Sequence, residues 1–332
     1  MYDRYQSRRK NTLLRRIIIM VILLGGAVFL VARYHHQLAF WRYDQNRLFG
    51  RVEAALKIGD AGKKREALGD LAETFMSYKE ERPADPEAFV ISGKVRYHLA
   101  MAMLPGSFSE LVINDRVHDI EKEPRAEFIR AIKDFRKARA LNGDALDETS
   151  LFMLATSAYL SGYSAPGKIL AMIEKCRDFR KGTDVEQIRF YSIITIINGK
   201  EDYGLSFLSE HGMAGDSIRG LLFYATAERM AKKYTGAIMT YQKVLAMTPD
   251  DRIRELVHLN LGTIYYRQSL YREAIGQFSR ALELDEGGIS SRIWMGKCYL
   301  AVGDREKARA IWNEVLARDG SNAEAKRLLR TI

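Results

Sequence analysis

Residues 255–288 read ELVHLNLGTIYYRQSLYREAIGQFSRALELDEGG, and residues 289–322 read ISSRIWMGKCYLAVGDREKARAIWNEVLARDGSN. The two stretches carry related residues at matching places. Gly262 and Gly296 are offset by 34 residues, and Phe278 and Trp312 have the same offset. A fixed period of this length is typical of supersecondary units that stack side by side. The sequence therefore predicts a repeat protein that grows by stacking.

Each of these two repeats divides into two amphipathic helices. Apolar residues of the second helix recur at i, i+4, i+7 and i+8, which places them on one helix face. Small residues let the paired helices approach closely, and aromatic side chains fill the space beside them. We therefore expect Gly262 and Gly296 to lie where two helices touch. The repeat positions are Gly262, Tyr265, Ala274, Phe278, Gly296, Tyr299, Ala308 and Trp312.

The pattern of Leu or Met, Gly, two residues and Tyr, followed by Ala, three residues and an aromatic residue, resembles the tetratricopeptide repeat family. His258 and Arg292 stand where that family often has Trp, and Glu286 and Gly320 stand where it often has Pro. The resemblance implies an all-α solenoid of helical hairpins. It also implies that protein partners bind along a concave groove lined by the first helix of each repeat.

Weaker repeats extend the pattern towards the N-terminus. Residues 52–147 are interpreted as degenerate helical repeats interrupted by an insertion at 104–124, and residues 323–332 as a C-terminal cap. The insertion separates a first helix around Gly93 from a second helix around Phe135, and an insertion in a solenoid emerges on one face, sometimes as a binding loop. The predicted repeats are 148–181, 185–216, 218–251, 255–288 and 289–322.

The net charge of +10 is concentrated at the N-terminus. Residues 1–51 hold ten Lys and Arg against two acidic residues, a net charge of +8 that leaves about +2 for the rest of the chain. Because the repeats themselves are nearly neutral, we do not expect nucleic acid as a partner.

An uncharged run, Ile17–Ala32, favours a transmembrane signal-anchor helix at 17–34. It follows a basic tail at 1–16 and precedes a juxtamembrane helix or linker at 35–51. A signal-peptide core or a buried helix are alternatives, but the run ends in a poor cleavage site. Six Lys and Arg precede the run and three follow within a similar distance, which predicts a cytoplasmic N-terminus. The repeats would then lie in the periplasm, attached to the inner membrane.

No motif in the chain favours an enzyme. The segment Gly162–Lys168 fits the glycine and lysine spacing of a phosphate-binding loop, but Ile169 replaces the required Ser or Thr. No histidine has metal-ligand spacing, and the two cysteines lie several repeats apart. We therefore expect no catalytic residue, cofactor, metal or small-molecule substrate.

The expected functional surface is the groove. Residues that face neither the second helix of their own repeat nor the next repeat should project into it. We expect Arg229 and Tyr266 to be partly exposed there, as partner anchors. The insertion is the competing site, since its apolar residues could dock on a partner or fold back. The predicted groove residues are Phe152, Tyr159, Arg219, Leu222, Arg229, Leu256, Leu259, Tyr266 and Lys297.

The sequence thus predicts a membrane-tethered scaffold that mediates protein–protein interaction. Its architecture is similar to that of bacterial inner-membrane repeat proteins that assist assembly of envelope or flagellar-associated complexes. A periplasmic chaperone or adaptor for envelope clients is one alternative, distinguished by transient binding to many clients. A regulatory subunit of an envelope enzyme is another, distinguished by one dominant enzymatic partner.

Overall fold

The computed structural model describes residues 45–117, 119–174, 184–213, 215 and 217–332, and every regular element in these ranges is a helix. Residue contacts divide the chain into two compact units. Of the described residues, the first unit comprises 45–103 and 123–154, and the second comprises those between 104 and 122 and those from 155 to 332. In chain order the helices are α1 Gln45–Leu56, α2 Ala61–Glu81, α3 Pro86–Ala102, α4 Phe108–Ile113, α5 Lys122–Leu141, α6 Glu148–Leu160, α7 Pro166–Ile173, α8 Val185–Ile197, α9 Glu201–Glu210, α10 Ile218–Met230, α11 Tyr234–Met247, α12 Asp251–Arg267, α13 Tyr271–Leu284, α14 Ile289–Ala301, α15 Arg305–Arg318 and α16 Ala323–Leu329.

Local sequence sets the helix ends. Asp85 accepts a hydrogen bond from the backbone N–H of Glu87, and Pro86 occupies the first turn of α3, where its missing N–H costs nothing. Gly199 and Gly303 have positive φ in the turns between paired helices, a conformation that glycine adopts without strain. The segment Gly162–Lys168 follows helix α6 and leads into α7, so it lacks the buried strand that a phosphate-binding loop requires.

Close contact between a glycine and an aromatic ring joins the helices of a pair. A Cβ atom added to Gly262 would lie 2.7 Å from Phe278 Cδ1, and one added to Gly296 would lie 2.7 Å from Trp312 Cε2. The expectation that both glycines lie at a helix contact is therefore confirmed. The same contact occurs in the first unit, where a Cβ on Gly93 would lie 2.8 Å from the ring of Phe135.

Successive helix pairs of the second unit share their cores. Met295 and Cys298 of α14 pack with Ala274 and Phe278 of α13. The first helix of one pair, α14, therefore covers the core of the preceding pair, α12 and α13. Helix α16 closes this stack, because its Ala325 and Leu328 join the core around Trp312. The first unit has its own core, built from α1, α2 and α3 around the fully buried Phe75.

The predicted membrane anchor at 17–34 lies outside the described residues, together with 1–16 and the first part of 35–51. Among the residues that the structure describes, no helix combines the length and apolar character needed to cross a membrane.

Candidate functional site

The predicted groove residues fall into three classes of exposure. Arg219 is exposed, with 72% of its side chain accessible. Tyr159, Leu256, Leu259, Tyr266 and Lys297 are half-buried, and Phe152, Leu222 and Arg229 are buried. Phe152 belongs to the first unit, and the other groove residues belong to the second. Helical spacing alone therefore overstated how many of these side chains can meet a partner.

The expectation that Arg229 is partly exposed is wrong. Its relative exposure is 7%, and it hydrogen-bonds the hydroxyl of the fully buried Tyr241 on α11. Thr226 lies 3.0 Å from the same hydroxyl, so the arginine belongs to an internal polar group within its own helix pair. Burial raises the pKa of Tyr241, opposed by the nearby Arg229 charge. Arg229 therefore acts within the fold of this pair.

The insertion folds back onto the second unit. Its apolar side chains, which the sequence left free to dock on a partner, are buried; they are Phe108, Leu111, Val112 and Ile113. The ring of Phe108 packs on Phe190 at 5.1 Å and on Tyr159 at 6.2 Å between centroids. A capping box formed by Ser107 and Glu110 starts helix α4, which occupies part of a segment expected to be a loop.

Polar contacts fasten this segment to the first helices of later pairs. The backbone N–H of Ser109 donates to Glu186 Oε2 at 3.0 Å, and Arg189 donates to the Ser109 hydroxyl at 3.2 Å. Glu110 lies 3.2 Å from Arg219 on α10. The insertion therefore contacts two of the predicted groove residues, Tyr159 and Arg219. The groove and the insertion, predicted as competing sites, therefore coincide in this part of the second unit. Here the insertion itself packs against the groove residues.

An aromatic surface remains half-exposed near the C-terminus. Tyr266 of α12 packs on Trp294 of α14 at 5.2 Å and on Tyr271 of α13 at 5.5 Å, measured between ring centroids. Lys297 Nζ lies 4.1 Å from the centroid of Trp294 and 2.7 Å from Glu324. We call Tyr266, Trp294 and Lys297 the C-terminal aromatic surface. The sequence analysis did not predict Trp294 as a groove residue. Its position three residues before Lys297, on the same face of α14, could have indicated it.

The thiol of Cys298 on α14 is buried. Burial raises the pKa of the Cys298 thiol to about 12, so it stays protonated and unreactive near neutral pH. Cys176, the other cysteine, lies outside the described residues. Within the described ranges, no group of three or more His, Cys, Asp or Glu side chains is placed to hold a metal ion.

Comparison with known proteins identifies the family that the C-terminal repeats resemble. Residues 265–332 match the family model of the tetratricopeptide repeat, over the region that holds the Gly296–Trp312 contact and helix α16. The fold is that of tetratricopeptide repeats. A tetratricopeptide repeat protein from Parabacteroides merdae ATCC 43184 has a similar structure, with a TM-score of 0.55 and 14% sequence identity. The similarity covers 86% of this chain and 97% of that one, and at this identity it shows the fold alone.

A sequence relative adds only a local match. The peptidyl-prolyl cis-trans isomerase FKBP4 of Mus musculus is 30% identical over an alignment of 106 residues, and the match covers 28% of this chain and 23% of that protein. The human protein of the same name is 29% identical over the same length. The chain thus matches under a quarter of the length of these relatives. A match of this extent does not show isomerase activity in this protein. The tetratricopeptide fold is generally a non-enzymatic scaffold with an extended binding surface.

Proposed function

We propose that this protein is a membrane-tethered scaffold whose tetratricopeptide repeats bind protein partners. The C-terminal aromatic surface carries the proposal. Tyr266, Trp294 and Lys297 come from two successive first helices and are half-buried, so their rings are held in place yet remain accessible at one side. Tyrosine and tryptophan dominate binding hot spots because they bring large contact area with few rotatable bonds.

The charge on this surface is suited to an acidic or carboxylate-bearing partner segment. The Lys297 ammonium lies against both the face of Trp294 and Glu324, whose side chain is 45% exposed. The carboxylate of this ion pair is on its more exposed side, since the Lys297 side chain is 19% exposed, so a partner carboxylate can take the place of Glu324. The rings would then receive an apolar side chain of the same partner.

The membrane attachment and compartment are part of the proposal. They are supported by the uncharged run Ile17–Ala32 and by the excess of basic residues before it. We place the repeats on the periplasmic side of the inner membrane, where the scaffold would assist assembly of an envelope or flagellar-associated complex. The support for that role is the architecture of an anchor followed by repeats.

Crosslinking in cells followed by mass spectrometry tests the proposal. We expect the double variant Tyr266→Ala, Lys297→Ala to lose the partners that the parent chain crosslinks, while circular dichroism shows an unchanged helix content. The matched control is Tyr163→Ala, Tyr203→Ala, which removes side chains that are 48% and 45% exposed outside this surface. Equal partner recovery from the two double variants would refute the C-terminal aromatic surface as the binding site.

A further inference from the structure

Two Asn-Gly pairs occur in the chain, Asn142-Gly143 and Asn198-Gly199. An asparagine that precedes glycine is open to spontaneous deamidation, because glycine has no Cβ beside the backbone nitrogen that must reach the side-chain carbonyl carbon. Each pair directly follows a helix, α5 in the first case and α8 in the second. Since the reacting groups are the same, we compared the structure around the two pairs.

The reacting groups of the first pair are accessible. Asn142 and Gly143 are both exposed. Among the described residues, neither the side-chain amide nitrogen of Asn142 nor the backbone N–H of Gly143 has a hydrogen-bond acceptor. The backbone N–H of Asp144 donates to Asn142 Oδ1 at 3.1 Å, and this oxygen gains negative charge when the carbonyl carbon is attacked. The leaving group and the attacking nitrogen are therefore available, and the carbonyl group is polarised.

The second pair is held by hydrogen bonds at both reacting groups. The side-chain amide nitrogen of Asn198, which would have to leave as ammonia, donates to the carbonyl oxygen of Ile194 at 2.6 Å. The backbone N–H of Gly199, which would have to attack, donates to the carbonyl oxygen of Ile196 at 3.0 Å. Asn198 is also half-buried at the end of α8. Reaction at this pair therefore requires both hydrogen bonds to open first.

We infer that Asn142 is a site of spontaneous deamidation and that the fold protects Asn198. Hydroxide removes the proton from the backbone amide of Gly143, and the nitrogen bonds to Asn142 Cγ. The Cγ–Nδ2 bond breaks, and the departing nitrogen takes a proton from water and leaves as ammonia. Water then opens the cyclic imide at either of its carbonyl groups, which gives aspartate or isoaspartate.

Both products change the connection between α5 and α6. The chain gains one carboxylate beside Asp144, at the C-terminal end of α5, where the helix dipole disfavours negative charge. Isoaspartate also adds one carbon atom to the backbone of this connection. The change needs no enzyme or partner, so it is independent of the proposed binding function.

Ageing of the full 332-residue chain in nanodiscs at mildly alkaline pH tests the inference. Trypsin releases the two sites in separate peptides, residues 140–168 and 190–200, and each peptide contains one asparagine. Digestion at mildly acidic pH prevents further deamidation, and mass spectrometry measures the aspartate and isoaspartate products. We expect Asn142 to react at least about tenfold faster than Asn198, because each hydrogen bond that must open at Asn198 lowers the reactive population.

Two comparisons separate the effect of the fold from that of the local sequence. In urea, where the hydrogen bonds of the fold are lost, the two rates should become nearly equal. Gly143→Ala should slow the reaction at Asn142 and leave Asn198 unchanged, because the added Cβ crowds the attacking nitrogen. Alanine fits at this position, since Gly143 does not have a positive φ and the new Cβ meets no atom within 4 Å. Circular dichroism checks that the variant is folded.

Three results would overturn the inference. The first is a rate at Asn198 in the folded chain that equals or exceeds the rate at Asn142. The second is a rate at Asn142 that Gly143→Ala does not change. The third is a difference between the two sites that persists in urea, since the flanking residues would then set the rates.

Discussion

Replacement of Gly262 by alanine tests the contact on which the repeat register depends. The added Cβ would lie 2.7 Å from Phe278 Cδ1, well inside the 3.5–4.0 Å at which carbon atoms attract one another. Phe278 is fully buried and stacks on Trp294, so its ring has little room to move. Overpacking of this kind costs about 1–3 kcal/mol. Alanine recovers about 1 kcal/mol of that through its better helix propensity.

Gly276→Ala is the matched control, because it makes the same change inside helix α13 with no atom within 4 Å of the new Cβ. It should gain about 0.5–1 kcal/mol from helix propensity alone. The two variants should therefore differ in free energy of unfolding by about 1–3 kcal/mol, with Gly262→Ala the less stable. Gly296→Ala, facing Trp312, should behave as Gly262→Ala does.

Urea unfolding followed by circular dichroism measures the difference. Because stacked repeats need not unfold all at once, amide hydrogen exchange in α12 and α13 should accompany it. The exchange rates should rise in both helices of the affected pair for Gly262→Ala. If the free energies of the two variants agree within about 0.5 kcal/mol, the close helix approach at Gly262 is refuted.

Three further predictions concern burial, pH and topology. Arg229→Ala should destabilise the protein by about 1–3 kcal/mol, because it removes a hydrogen-bond partner of the buried Tyr241; Arg219→Ala, at an exposed ion pair, should cost no more than about 1 kcal/mol in the same urea titration. The pKa of His98 is about 4 when folded and about 6.5 when unfolded, so the unfolded chain takes up the proton first as the pH falls. Stability should be full above pH 6.5 and fall by roughly 1–3 kcal/mol towards pH 4, and His98→Gln should flatten that pH profile. A reporter that is active only outside the cytoplasm, fused after Ile332, should be active; activity of a cytoplasmic reporter there would contradict the proposed topology.

The sequence by itself determined the helical-repeat fold. The 34-residue offset, the helical spacing of apolar residues and the turn glycines are local properties, and each is readable without knowing which distant residues meet. Even the interrupted pair was identifiable, because Gly93 and Phe135 carry the same small and aromatic pattern as Gly262 and Phe278. The anchor at 17–34 stays a prediction from the same kind of local pattern.

Only the tertiary structure decided which inner-face residues a partner can reach. Helical spacing shows which side chains share a face of their own helix, but their exposure depends on what packs over that face. Ser109 meets Glu186 from 77 positions away, and this contact brings the insertion over Tyr159 and Arg219. Arg229 is buried because Tyr241, on another helix, supplies a hydroxyl partner. Such contacts join residues that no common period relates, so a repeat pattern cannot contain them.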